Sequence, residues 1–242
     1  MALRLLVLGP PGAGKGTQSL KIAREHGVPK ISTGDMLRDA VTSGSPLGAL
    51  VKETVAQGQL VGDDVIVELV RARLEEDDAR KGFVLDGFPR TATQANALDE
   101  ITASRGPVIC VEIQVPDEEL VRRVRGRRVC DDCGANADAF EHKPDALSNL
   151  CQNTERCRTV GPKWVARSDD SETVVRERLK IYWRDTRPMI EYYSARPTFR
   201  VIDGLQSPEQ VREALVSAVA SALGLPAAQL RTLVAKKLGA QA

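Results

Sequence analysis

The sequence predicts an α/β fold: a five-stranded parallel sheet covered by helices on both faces. Three observations predict it. Strand-like apolar runs recur at Leu3–Leu8, Phe83–Leu85, Val108–Val115 and Phe199–Ile202, with a shorter one near Ile31. Segments of helical spacing separate them, and strands alternating with helices build parallel sheets. The first run breaks directly into Gly9-Pro10-Pro11-Gly12-Ala13-Gly14-Lys15-Gly16-Thr17, the pattern of a strand-to-helix loop that binds phosphate.

Each element has a local reason. In the loop, glycines let successive backbone N–H groups converge on one anion. The helix beginning near Lys15 points its positive end at the same place. Lys15 brings a mobile charge for the β- and γ-phosphates, and the Thr17 hydroxyl can help place Mg²⁺. The usual pattern has Ser or Thr directly after the Lys; here Gly16 intervenes. Ile66, Leu69, Val70 and Leu74 keep helical spacing, as do Val174, Leu179 and Ile181 less cleanly. Ser207-Pro208-Glu209-Gln210 reads as N-cap, first-turn proline and capping-box Gln, opening a helix that runs to about Leu223. Residues 230, 233, 234 and 238 are apolar and suggest one more amphipathic helix in the tail.

Composition narrows the class. A chain of 242 residues suits one α/β domain with insertions. Its residues are 42% hydrophobic and 28% charged, and the net charge of +1 gives no global field calling for nucleic acid or a membrane surface. No apolar run approaches the roughly 20 residues that span a bilayer, and the N-terminal run is too short for a secretory core. Of 34 basic residues 24 are Arg, the side chain that grips phosphate in a bidentate fork. Four of five cysteines crowd into residues 130–157, which reads as metal binding rather than a disulfide framework. The cytoplasm is the expected location.

Two stretches interrupt the alternation. Residues 32–61 are helical between a strand and the next long helix. Residues 126–170 are rich in Cys, Asp, Asn and Arg with little periodicity, and so long a connection is usually functional. They divide the chain into a core (1–31, 62–125 and 171–223), two inserts (32–61 and 126–170) and a C-terminal extension (224–242). His26 and His142 are the only histidines and neither has a catalytic setting, so direct in-line transfer fits better than a covalent phosphoenzyme.

The loop Gly-x4-Gly-Lys-Gly-Thr-Gln resembles that of adenylate kinases, and four further segments agree in order: Ile31-Ser-Thr-Gly-Asp-Met-Leu-Arg38, Gly82-Phe-Val-Leu-Asp-Gly-Phe-Pro-Arg-Thr91, Gly126-Arg-Arg128 and Arg167-Ser-Asp-Asp170. The resemblance runs from about residue 3 to about residue 222. It implies reversible transfer between MgATP and AMP to give two ADP, with residues 32–61 as the monophosphate clamp and 126–170 as the lid. It implies that Gly12, Ala13, Gly14, Lys15, Gly16, Thr17, Arg123, Arg127 and Gln206 meet ATP. Thr33, Arg38, Gln59, Leu60, Val61, Gly87, Arg90, Gln94, Arg167 and Arg178 would meet AMP, with Lys15, Arg90, Arg127, Arg167 and Arg178 acting on the transferred group. Asp86 could order Mg²⁺ through water. Asp169 and Asp170 read as a lid-edge pair with hinge salt bridges. The expected partners are ATP, AMP and ADP, and the chain is expected to be a monomer. Rival readings are a UMP/CMP-type kinase, a zinc-ribbon module with a vestigial nucleotide site, and a nucleotide-binding regulator without turnover.

Two departures bear on the lid. Where zinc-bearing lids of the family carry an aromatic or Thr-Tyr pair after Cys-x-x-Cys, this chain has Asn136 and Ala137, with Phe140 nearby. Those lids also supply a second Cys-x-x-Cys. Here Cys130 and Cys133 form the first pair, but Cys151 and Cys157 stand five residues apart and Val160 falls at the fourth-ligand position. Structural zinc on Cys130, Cys133, Cys151 and Cys157, zinc with His142 or Asp132 as a substitute, a redox pair, and free thiols are the readings this pattern allows.

Overall fold

A computed structural model of the chain describes residues 2–133, 135–138, 154–167 and 169–226. The expected five-stranded sheet is present. β1 (Arg4–Leu8), β2 (Lys30–Ser32), β3 (Phe83–Asp86), β4 (Ile109–Gln114) and β8 (Phe199–Asp203) run parallel in the order β2-β3-β1-β4-β8. The strands are one or two residues shorter than the apolar runs at β1 and β4, because Leu3 and Val115 are buried beyond the last ladder pairs.

Period-two alternation sorts the central strand between two cores. Leu5 and Val7 of β1 join one apolar cluster, and Leu6 and Leu8 join the other. The first cluster takes its helical share from α1 (Lys15–His26), α7 (Asp117–Gly126), α9 (Glu172–Ile181) and α11 (Pro208–Ala222). The second takes it from α2 (Thr33–Thr42), α3 (Pro46–Ala56), α4 (Asp63–Glu75), α6 (Ala92–Thr102) and α10 (Arg187–Ser194). A one-turn α5 (Asp77–Arg80) leads into β3. Strands buried on both faces read as continuous apolar runs, which is why β1 was legible.

Capping follows the sequence. Ser32, Ser45, Thr91, Ser171 and Ser207 each accept a hydrogen bond from a first-turn backbone N–H of α2, α3, α6, α9 and α11. Ser207 and Gln210 complete the expected capping box. α9 passes without a break through a π-helical turn, Tyr182–Thr186, into α10, and such turns frequently sit at functional sites. The tail helix expected over residues 229–238 lies outside the described residues. Among the described residues no helix is long and apolar enough to cross a membrane.

The stretch 126–170 is not structureless. β5 (Arg127–Cys130), β6 (Asn136–Asp138) and β7 (Trp164–Val165) form a small antiparallel sheet in the order β6-β5-β7, and α8 (Glu155–Thr159) is N-capped by Thr154. These strands are only two to four residues long, so sequence periodicity did not announce them.

In the other interrupting stretch, α2 and α3 pack closely enough that a Cβ on Gly48 would lie 1.9 Å from the Ala40 carbonyl oxygen. Backbone cannot yield as a side chain does, so Gly48→Ala is expected to pry the two helices apart and lower stability by about 1–3 kcal/mol. Gly62→Ala, where a Cβ meets nothing within 4 Å, serves as the near-neutral control in thermal unfolding. Equal melting temperatures for the two variants would contradict this packing.

Candidate functional site

A cavity of about 860 Å³ opens at the carboxyl ends of β1, β2, β3 and β8, where open α/β sheets bind ligands. It is bordered by all six loop residues from Gly12 to Thr17. α1 begins at Lys15, with Gly14 before it in a left-handed conformation (φ +91°) that turns the chain from strand to helix. Lys15 folds over the loop and donates from Nζ to the Pro10 carbonyl at 2.9 Å. Burial pushes its ammonium down to about 8, helped by Arg90, Arg127 and Arg178 and opposed by Asp86.

The structure brings every arginine singled out in the sequence into this one cavity. Arg38 comes from α2, Arg90 from the segment before α6, Arg123 from α7, Arg127 from β5, Arg167 from the segment after β7, and Arg178 from α9. Their charge is only partly matched. Arg127 Nε donates to Asp170 at 2.6 Å with a second, shorter bond beside it. Arg178 pairs with Asp169, whose same oxygen lies 3.5 Å from Arg38. Arg38 also grips Asp35 at 2.5 Å, which holds the Arg38 pKa above its ordinary value despite burial. Arg90 and Arg167 go the other way. Burial and neighbouring arginines lower each to about 10. Arg90 Nε meets the neutral Gly87 carbonyl at 2.8 Å, and Arg167 meets the Asn136 amide oxygen at 3.4 Å with Asp35 farther off at 3.9 Å. An excess of fixed, buried positive charge of this kind favours a multiply charged anion.

The side of the cavity between α2 and α6 is built for close approach. Gly87 has φ +78°. Its carbonyl accepts from Thr33 Oγ1 at 2.9 Å as well as from Arg90. Gln94 is buried, accepts from the Arg90 N–H at 2.8 Å and donates to Asp63 at 2.8 Å. Gln59, Leu60 and Val61 form the rim, and Gln59 reaches Glu177 at 3.3 Å. Gln206 lies on the opposite rim with Gly204 and Ser207. Arg123 is tied to Glu119 at 2.7 Å, and Asn136 and Ala137 border the cavity too.

Asp86 ends β3, is buried, and places Oδ2 3.3 Å from where a Cβ would stand on Gly16. Sequence reasoning missed its neighbour Lys30, whose ammonium lies 3.8 Å from Asp86 and 2.8 Å from Asp35. A charged residue opening an otherwise buried strand was the available signal. The Asp35 N–H donates to the Ser32 cap, while Lys30 and Arg38 together hold its carboxyl well below the usual range against the opposing effect of burial.

Away from the cavity, Cys130, Cys133 and Cys157 bring their sulfurs within 4.8 Å of one another, with Cys130 and Cys157 at 3.5 Å. Cys151 lies outside the described residues. Val160 is 79% exposed and turned away from any such role. Asp132 Oδ2 is 3.4 Å from Cys157 Sγ. Cys110 is a core residue of β4, with burial raising its thiol to about 12.

Lys15 generates a pH expectation. Burial disfavours its charged form, so it costs stability at neutral pH, and that cost is relieved as pH rises from about 8 toward the ordinary 10.5. Affinity for a polyphosphate should move oppositely and fall as pH rises through about 8. Calorimetric titration of inorganic tripolyphosphate should show this step in the wild type and lose it in Lys15→Met, and identical profiles would remove Lys15 from the anion site.

Comparison with known proteins agrees with the geometry. The family model described as "Adenylate kinase" matches residues 7–198. Similar proteins include adenylate kinases of Petrotoga mobilis, 44% identical over 90% of this chain and 98% of the relative, and of Archaeoglobus fulgidus, 42% identical over 86% and 94%. The adenylate kinase of Symbiobacterium thermophilum is 43% identical over 90% and 98%. A phosphate loop at the end of a parallel sheet, arginines converging on it from six segments, and a family match across most of the chain lead to one conclusion: this chain belongs to the adenylate kinase family.

Proposed function

We propose that the cavity carries out the family's reaction, MgATP + AMP ⇌ MgADP + ADP, by direct in-line transfer. The observation that carries this is the meeting of Lys15, Arg38, Arg90, Arg127, Arg167 and Arg178 in one cavity. Phosphoryl transfer asks a protein chiefly to position two anionic substrates and to match developing charge, and no nucleophilic side chain is needed. ATP lies along Gly12–Thr17, Arg123, Arg127 and Gln206. AMP lies against Thr33, Gly87, Gln94 and the rim Gln59–Val61, its phosphate on Arg38 and Arg90. Arg167 and Arg178 span the two. Gln94 orients Arg90 and Asp63 while it faces the base.

Mg²⁺ fits the donor side, where Asp86 faces the loop beside Gly16 and Thr17 borders the cavity. When bound, it supplies neutralisation of the transferring phosphates. Arg127 and Arg167 lie in the insert 126–170 and Arg38 in the insert 32–61, so closing both would complete the cation set and exclude water, which competes with AMP as acceptor. Replacing Arg38 or Arg90 with Ala is expected to raise KM for AMP about ten- to a hundredfold, the worth of one charged phosphate contact, with little change for ATP. Equal losses for both substrates would misplace the acceptor site. A panel of AMP, CMP, UMP and GMP separates this reading from a pyrimidine monophosphate kinase.

The three clustered thiols support structural zinc in the lid. Tetrahedral Zn–S bonds of about 2.3 Å set sulfurs about 3.8 Å apart, close to the 3.5 Å of Cys130 and Cys157. Cys151 is the proposed fourth ligand. A lid with so small an apolar cluster gains most of its internal order from such an ion. Protein purified without added metal should carry near-stoichiometric zinc, and Cys130→Ser should lose it and melt at lower temperature. Metal-free protein whose melting is unmoved by chelator would sink the assignment. Cys110, Cys130 and Cys157 form no disulfide among the described residues, which supports a cytoplasmic setting.

A further inference from the structure

Lys30 is the first residue of β2, and strand alternation sends it to the face opposite Ile31. Ile31 is buried in the apolar cluster, while Lys30 and Ser32 border the nucleotide cavity. The Lys30 side chain is only 17% exposed. Its ammonium sits 2.8 Å from Asp35 Oδ2, 3.8 Å from Asp86 Oδ2 and 3.9 Å from the position of a Cβ on Gly16. A second lysine therefore stands beside the loop at Gly16.

The two carboxylates it spans are unequal. Asp35 gives one oxygen to Lys30 and the other to Arg38 at 2.5 Å, with Arg167 also 3.9 Å from that second oxygen, so its charge is more than matched. Asp86 meets Lys30 at 3.8 Å, too far for a direct hydrogen bond. Asp86 keeps its capacity to accept from a metal's hydration shell, but does so beside a fixed positive charge anchored elsewhere.

We propose that Lys30 is a positioning residue of the donor site: anchored on Asp35, its charge weakens the pull of Asp86 on a divalent cation, so that the ion is held firmly only together with the nucleotide's phosphates. This rests on the reading of Asp86 as the metal-facing carboxylate. An ammonium and a doubly charged ion several ångströms apart repel even at the dielectric of water by an amount equal to about a tenfold change in affinity. The same charge leaves Lys15 as the group that acts on the phosphates, because Lys30 is held by Asp35.

Mn²⁺ binding followed by electron paramagnetic resonance tests this, using full-length protein saturated with a non-hydrolysable β,γ-imido analogue of ATP. Lys30→Met should bind Mn²⁺ about tenfold more tightly than wild type, and Lys30→Arg, which keeps the charge, should not. In turnover, the Mg²⁺ concentration for half-maximal rate should fall in Lys30→Met by a similar factor. Lys30→Gln replaces Lys30→Met if the latter melts early. Unchanged or weaker Mn²⁺ binding in the uncharged variants, or equal tightening in Lys30→Arg, overturns the proposal. A wild-type complex that takes up no Mn²⁺ overturns the donor-site reading itself, and the Lys30 proposal with it.

Discussion

Repulsion among buried cations is the constraint to which the rest of this structure answers. Lys15, Arg38, Arg90, Arg127, Arg167 and Arg178 share one cavity, and several of their pKa values are pulled down by burial and by one another. Four aspartates hold the arrangement together without neutralising it. Asp169 and Asp170 anchor Arg178 and Arg127, Asp35 anchors Arg38 and Lys30, and Asp86 faces the loop. The parallel sheet brings the carboxyl ends of its strands to one edge, and the stretch 126–170 adds Arg127, Arg167, Asp169 and Asp170 from outside that sheet.

That geometry explains why the cations come from so many elements. A single helix or loop carrying this many like charges would repel itself locally and favour disorder. Spread over α2, α7, β5, α9 and the segments flanking α6 and β7, each charge is secured by its own packing. Arg178 shows the principle: it projects from a helix whose neighbouring Val175 and Leu179 are held in the apolar core. The π-helical turn that follows carries Tyr182 and Thr186 to the same cavity wall.

Much of this was legible in the sequence where the cause is local. The phosphate loop, the strand before it, the capping box at Ser207 and the buried strands are all written in neighbouring residues. The arginines became legible through motif order, not through any property of their own stretch. What stayed hidden depends on long-range pairing. Gln94 and Asp63 are 31 residues apart and only the packed fold joins them. Lys30 opens a short strand, and only the fold brings Asp86, from a different strand, beside it. The ribbon β5–β7 escaped because strands of two to four residues are too short to show alternation. Cys157 fell into place beside Cys130, whereas Val160, at the fourth-ligand position, points to solvent.

The placement of Asp169 has a consequence for how substrate charge is felt. One oxygen of this buried carboxylate serves both Arg38 and Arg178, so the arginines are already partly satisfied by an internal counter-ion. An entering phosphate competes with a resident carboxylate, and the free energy gained is that of an exchange between two anions. The number of visible ion pairs therefore overstates the affinity, and the response to added salt is shallower than the number of cations suggests. Singly charged anions gain little from such an exchange. A dianionic phosphate, with three oxygens and twice the charge, gains much more from the same exchange.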